Sequence, residues 1–161
     1  MNEVDLAEIR KFVSYDPLTG EFTVLMDRGK ARAGDKAGSL HNNGYWKIGF
    51  AGKKYLAHRL AWAMFYGSWP KLGVDHKDGD KLNNKIENLR LATKSQNRAN
   101  TPGFSKRGVR IDNRIKEGNK YVAKIEFDGR RIHLGSFRTR ELAEEFRILA
   151  AELLFGEFVK D

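Results

Sequence analysis

The chain has 161 residues, 40% of them hydrophobic, enough to bury a core in one domain or in two small ones. Thirty Lys and Arg against 21 Asp and Glu give a formal net charge of +9, so a polyanion is the expected partner; without a long apolar run or a basic amphipathic helix, nucleic acid is favoured over a membrane surface. The absence of cysteine excludes disulfides and any zinc-cysteine site, leaving His, Asp, Glu and Asn as metal donors, a set that suits a hard divalent ion.

The acidic first residues lack the charged-then-apolar pattern of a secretory signal, and a cytoplasmic location is expected. Residues 21–25, 45–50 and 53–56 read as short strands, with Asn43-Gly44 and Ala51-Gly52 as turn signals. From 56 to 65 the apolar residues recur at helical spacing and stop at Gly67 before Pro70, which predicts one buried helix. Within it, His58 reads as a satisfied structural or phosphate-contacting residue and Arg59 as a DNA contact. Residues 74–100 are turn-rich and dense in Asp, Asn and His, a poor composition for a core and a good one for chemistry.

That stretch opens with Val74-Asp75-His76, passes through an Asp/Gly/Asn loop and returns as a strand-like segment at 87–91. Thr93 and Gln96 stand at capping-box spacing, so a helix starts there with Asn97 on its first turn. In a hairpin-then-helix unit, Asp75 and Asn97 can converge on one point with His76 alongside, giving two oxygen ligands and a base. An Asp-His pair alone is more often a turn element than a catalytic one; the full set of Asp75, His76, Asn88 and Asn97 favours chemistry.

Thr101-Pro102-Gly103 marks a boundary, dividing the chain into 1–100, a linker at 101–105, and 106–161. The second part predicts strands at 108–111, 121–127 and 131–134, with a hairpin turn at Asp128-Gly129. A helix then starts at the N-cap Thr139 and carries one apolar stripe: Leu142, Phe146, Leu149, Ala150 and Leu153. The fold class is therefore α+β. Residues 103–140 hold eleven Lys and Arg against four Asp and Glu, whereas 141–161 hold two against six, so the strands are basic and the helix acidic. Period-two alternation turns Tyr121, Ala123, Ile125, Phe127, Ile132 and Leu134 toward the helix. It turns Lys124, Glu126, Arg131 and His133 outward, joined by Arg107 and Arg110.

Asp75-His76, the Asp78-Gly79-Asp80 and Asn83-Asn84 loop, Asn88-Leu89-Arg90 and Asn97 resemble the HNH endonuclease family, in particular its phage homing and nicking type. Upstream, Gly44-Tyr45, His58-Arg59-Leu60-Ala61-Trp62 and Gly67-Ser68-Trp69-Pro70 add to the resemblance. It implies a ββα-metal core after a small β-rich region, with one Mg²⁺, Mn²⁺ or another divalent ion held by Asp75 and Asn97. It further implies His76 as the general base, Asn88 bracing the His76 loop, products with 5′-phosphate and 3′-hydroxyl ends, and an origin in phage-infected bacteria.

Lys106-Arg107-Gly108-Val109-Arg110, residues 121–125, Leu134-Gly135-Ser136-Phe137 and the helix after them resemble the plant APETALA/ethylene-response DNA-binding domain, which lays a three-stranded sheet in the major groove. The combined expectation is an endonuclease acting on double-stranded DNA as a monomer or weak dimer. A DNA-binding regulator with an inactive nuclease site is the alternative. An RNA-binding protein is the weaker third, since neither stacking platforms nor basic tails are evident.

Overall fold

The computed structural model describes residues 6–104 and 107–159. Ser105 at the end of the expected linker, Lys106 at the head of the basic run, and residues 1–5 and 160–161 lie outside the described residues. The chain divides into two compact units, Met1–Leu91 and Ala92–Asp161.

The first unit opens with helix α1 (Leu6–Phe12) and the hairpin of β1 (Val13–Tyr15) with β2 (Phe22–Val24), antiparallel with Ser14 opposite Thr23. A second antiparallel sheet follows, in the order β3 (Ser39–Leu40), β4 (Trp46–Phe50) and β5 (Lys53–Leu56). Helix α2 (Ala57–Tyr66) leads directly out of β5 and ends at Gly67, whose φ of +77° lets its N–H reach back to the Ala63 carbonyl. β6 (Gly73–His76) pairs with β7 (Leu89–Ala92), and a single 3₁₀ turn, Ile86–Asn88, precedes β7. The core gathers Ile9, Val13, Phe22, Ile48, Leu60, Val74 and Leu89, so α2 and both ends of the β6–β7 hairpin are anchored in one apolar cluster.

Residues before the expected first strand supply α1 and β1, and they fix the loop between β6 and β7. Tyr15 Oη donates to the Asn84 carbonyl at 2.7 Å, and the Ile86 N–H donates to the Pro17 carbonyl at 3.1 Å. Gly20 sits so close to that loop that a Cβ there would lie 2.5 Å from Lys85 N and 2.6 Å from Asn84 C.

The second unit begins earlier than the Thr-Pro-Gly boundary suggests. Helix α3 (Lys94–Ala99), which bears Asn97, belongs to it because Ala92, Ala99 and Phe104 share a core with Ile125, Ala151, Phe155 and Phe158. The three strands β8 (Val109–Ile111), β9 (Tyr121–Phe127) and β10 (Arg130–Phe137) form an antiparallel sheet with β9 in the centre. α4 (Arg140–Phe155) packs on this sheet, with Thr139 accepting the Leu142 N–H as its N-cap.

One expectation is corrected here. The stripe Leu142, Phe146, Leu149 and Leu153 is exposed rather than buried, with Leu153 87% exposed; the buried positions are Ala143, Arg147, Ala151 and Phe155. Ala143 and Ala151, eight residues apart on that face, let the helix approach the strands closely there. Phe146 instead stacks on Phe137, ring centroids 4.7 Å apart. Ile132 lies on the same face as its register partner Ile125, as alternation predicts, but at the hairpin end of β10 it remains 37% exposed.

Candidate active site and basic sheet

β6 delivers Asp75 and His76 side by side, both buried. Asp75 Oδ2 accepts from Arg90 Nε on β7 at 3.0 Å, and this ion pair is itself buried, so Arg90 orients the carboxylate where solvent cannot. Below His76 the loop turns on a set of Asx bonds. Asn88 donates Nδ2 to Asp78 Oδ1 at 2.9 Å and to the Asn83 carbonyl at 2.8 Å, and its Oδ1 accepts the Asp78 N–H at 3.1 Å. The Asn88 carbonyl accepts the Lys77 N–H at 2.9 Å. One amide side chain thus clasps both limbs of the loop that follows His76. Burial pushes the Asp78 carboxyl up, but donation from Asn83 and Asn88 and the Asp80 N–H outweighs it and leaves it below the usual carboxylate range.

His76 is walled by other rings. His58 on α2 meets it edge to face, centroids 4.9 Å apart, and Tyr45 lies 5.2 Å from His58 and 6.2 Å from His76. Lys81 closes over the outer face of Tyr45, its Nζ 4.8 Å from the ring centroid. His58 is not the satisfied residue expected from the sequence: its ring is buried and Nδ1 has no hydrogen-bond partner. Burial, then the neighbouring His76 and Arg59, push its pKa down to about 3, so it is neutral at physiological pH. Burial also lowers the pKa of His76. The Asn84 side chain and the carboxylates of Asp78, Asp75 and Asp80 oppose that shift without cancelling it. The result is a neutral imidazole, able to accept a proton.

Arg59 has an internal task in the structure, Nη1 donating to the Leu72 carbonyl at 3.0 Å and Nη2 to that of Pro70 at 3.1 Å. Asn84, which sequence reasoning does not separate from the other loop asparagines, is 4% exposed and its Oδ1 lies 3.3 Å from His76 Nε2. The second of two adjacent asparagines, eight residues after the histidine, was the available signal.

In the second unit, the capping box at Thr93 and Gln96 is complete, each side chain bonding the other's backbone N–H, and the Asn97 N–H closes the first turn on the Thr93 carbonyl. α3 is tied to the sheet at two points. Arg98 Nη1 pairs with Glu126 Oε2 at 2.8 Å, and Ser95 Oγ accepts the Asp128 N–H at 3.2 Å. The sheet face away from α4 presents Arg110, Lys124, Arg131 and His133, all exposed, along a groove of about 660 Å³ that Arg107 also lines. Lys124 lies opposite His133 and Glu126 opposite Arg131, as alternation requires. Arg107 also donates to the Pro102 carbonyl at 2.6 Å. Glu126, the lone acid among those outward positions, is already neutralised by Arg98. Beneath the sheet, Arg147 is buried with Nε donating to the Lys124 carbonyl at 2.9 Å and its guanidinium over the Phe104 ring at 4.7 Å.

Among the described residues no cluster of three or more His, Asp or Glu is placed to hold a metal ion, and no helix is long and apolar enough to cross a membrane.

Residues 55–99 match the family model for HNH endonuclease, a span that contains α2, Asp75, His76, Asn88 and Asn97. An uncharacterized HNH endonuclease of Acanthamoeba polyphaga mimivirus is 39% identical over 122 residues, covering 74% of this chain and 63% of that protein. An SPbeta prophage-derived protein of Bacillus subtilis (strain 168), named as an HNH homing endonuclease, is 41% identical over 61 residues, 34% of this chain and 35% of that one. The chain thus spans less than two thirds of the length of either curated relative. The solved structure described as "DNA binding and cleavage by the HNH homing endonuclease I-HmuI" is 25% identical, with a TM-score of 0.46, over 98% of this chain and 91% of that one.

Proposed function

We propose that this chain is a metal-dependent endonuclease of the HNH type that hydrolyses phosphodiester bonds in double-stranded DNA, and that its C-terminal sheet is an APETALA/ethylene-response-type DNA-binding surface. The observation that carries the reading is the buried pair of Asp75 and His76, a carboxylate held by Arg90 beside a neutral imidazole, inside the segment that matches the HNH endonuclease model.

The donor chemistry fits a hard divalent ion. Asp75 is an oriented carboxylate and Asn97 an exposed amide oxygen, and an ion such as Mg²⁺ takes one or two protein oxygens and completes its shell with water and phosphate. Asp75 and Asn97 would hold it, and when bound it supplies Lewis-acid polarisation of the scissile phosphate. His76 takes a proton from the attacking water; the water oxygen bonds to phosphorus as the bond to the 3′ oxygen breaks, and the departing 3′ oxygen takes a proton from solvent, leaving 5′-phosphate and 3′-hydroxyl ends. Asn88 keeps the loop after His76 in shape. Arg107, Arg110, Lys124, Arg131 and His133 bind duplex phosphates and base edges, and Arg59 on α2 adds a contact from the nuclease unit. The protein acts as a monomer or weak dimer in the cytoplasm of a phage-infected bacterium.

Incubation of supercoiled plasmid with Mg²⁺, with Mn²⁺ and with EDTA tests the reading. Nicked or linear product that appears with an ion and disappears with EDTA is expected. DNA binding without cutting under any divalent ion would leave a DNA-binding regulator instead.

A further inference from the structure

We infer that Glu126 is a specificity-determining residue: its carboxylate, held by Arg98, accepts a hydrogen bond from the 4-amino group of a cytosine in the major groove, and Arg131 opposite it donates to the paired guanine. The inference rests on the reading of the sheet as a DNA-binding surface and adds a base pair that the sheet selects.

Glu126 stands where an acid costs binding. It lies on the central strand β9 and lines the groove of the outer face, among Arg110, Lys124, Arg131 and His133. A carboxylate there repels the phosphates that its neighbours attract. Its pair with Arg98 does not explain it as a strut, because both partners are exposed and an exposed pair contributes little to stability. α3 is anchored without it, through Ala99 in the core and the bond from the Asp128 N–H to Ser95 Oγ.

What the pair does is fix the carboxylate. Arg98 Nη1 holds Oε2 at 2.8 Å, and Oε1 carries no hydrogen bond among the described residues. The major groove offers a carboxylate two donors, the 4-amino group of cytosine and the 6-amino group of adenine. Adenine sets its N7 acceptor beside that group, where it repels a carboxylate; cytosine has only a C–H there. Cytosine is therefore the matching base. Guanine, its partner, presents O6 and N7 as acceptors, and Arg131 is the residue directly opposite Glu126 in the register of β9 and β10. Opposite residues of a sheet have Cβ atoms about 5 Å apart, so one acceptor and one donor stand side by side, the complement of a C·G pair.

The test is selection by the full chain, in EDTA, of duplexes from a pool with a randomised segment, followed by sequencing of the bound fraction. Wild type is expected to enrich a C·G pair at one position, with cytosine preferred over the other bases by roughly five- to a hundredfold, the range for a good base contact. Glu126→Gln replaces an acceptor-only group with one that donates and accepts, the pattern that adenine complements. It should turn that position toward adenine and leave the others as they are. Arg131→Ala should weaken the preference at the same position.

A Glu126→Gln profile identical to wild type would overturn the inference, as would wild type enriching no cytosine at any position. So would an equal flattening of every position in Glu126→Gln, which would trace the effect to the docking of α3 rather than to a base. An Arg131→Ala change confined to a different position would overturn the assignment of the guanine. Duplex binding undiminished in a variant combining Arg110→Ala, Lys124→Ala and Arg131→Ala would instead sink the reading of the sheet as the DNA surface, and the inference with it.

Discussion

Gly20→Ala probes how the N-terminal hairpin supports the loop between β6 and β7 from the far side of its peptide. Gly20 has φ of +77°, and an alanine there bears about 1–2 kcal/mol for the left-handed backbone. Its Cβ would also meet backbone, at 2.5 Å from Lys85 N, 2.6 Å from Asn84 C and 3.1 Å from Asn84 O. None of these atoms can swing aside, so the 84–85 peptide must retreat by about an ångström to reach ordinary contact, straining the bonds that Tyr15 and His76 make to Asn84 at about 1 kcal/mol each. The expected loss is about 3 kcal/mol. Gly29→Ala is the control, since Gly29 has φ of +61° with nothing within 4 Å and should bear the conformational part alone, about 1 kcal/mol. Urea denaturation followed by tryptophan fluorescence reads the first unit selectively, because Trp46, Trp62 and Trp69 all lie in it. Equal losses in the two variants would refute the bracing of Asn84 by the hairpin.

His58 is neutral in the folded chain down to about pH 3, whereas an unfolded histidine protonates below about 6.5. The unfolded state therefore binds the extra proton across that window, and stability of the first unit, complete above 6.5, falls as pH drops toward 3. The full displacement corresponds to roughly 5 kcal/mol; His58→Phe should flatten the profile in fluorescence-monitored unfolding, and an unchanged slope would contradict the burial argument. Arg90→Leu leaves the Asp75 carboxylate buried without its guanidinium and should destabilise the first unit by about 3–5 kcal/mol. Arg32→Ala, which breaks the exposed 3.1 Å pair with Asp27, should cost no more than about 1 kcal/mol in the same assay. Glu126→Gln releases Arg98 on the basic face, so DNA affinity should rise a few-fold and the salt slope steepen by up to about 0.9 if Arg98 gains one phosphate; a binding titration at several salt concentrations checks both.

Elements whose signal is local were legible in the sequence. The 3.6-residue spacing and Gly67 marked α2, the Thr93 and Gln96 pair marked the start of α3, and alternation gave the faces of β9 correctly from Ala123 to Glu126. What failed needed tertiary knowledge. Hydropathy put the bulky stripe of α4 against the sheet, but close helix-to-strand approach selects alanines, which carry little hydropathic weight. Ala92 and Ala99, equally mute, draw α3 into the second unit. Asp75 and His76 were visible as types in a pattern. The partners that tune them, Arg90 fifteen residues on and His58 eighteen residues back, were visible only once the strands and α2 were folded together.

The measurement that tests the central claim most directly compares wild type with His76→Ala for cleavage of supercoiled plasmid in Mg²⁺ and for binding of the same DNA without a divalent ion. The account predicts that His76→Ala loses cleavage by at least a hundredfold, the lower end of what a general base contributes, and binds DNA as wild type does. Undiminished cleavage by His76→Ala, with binding intact, would contradict it.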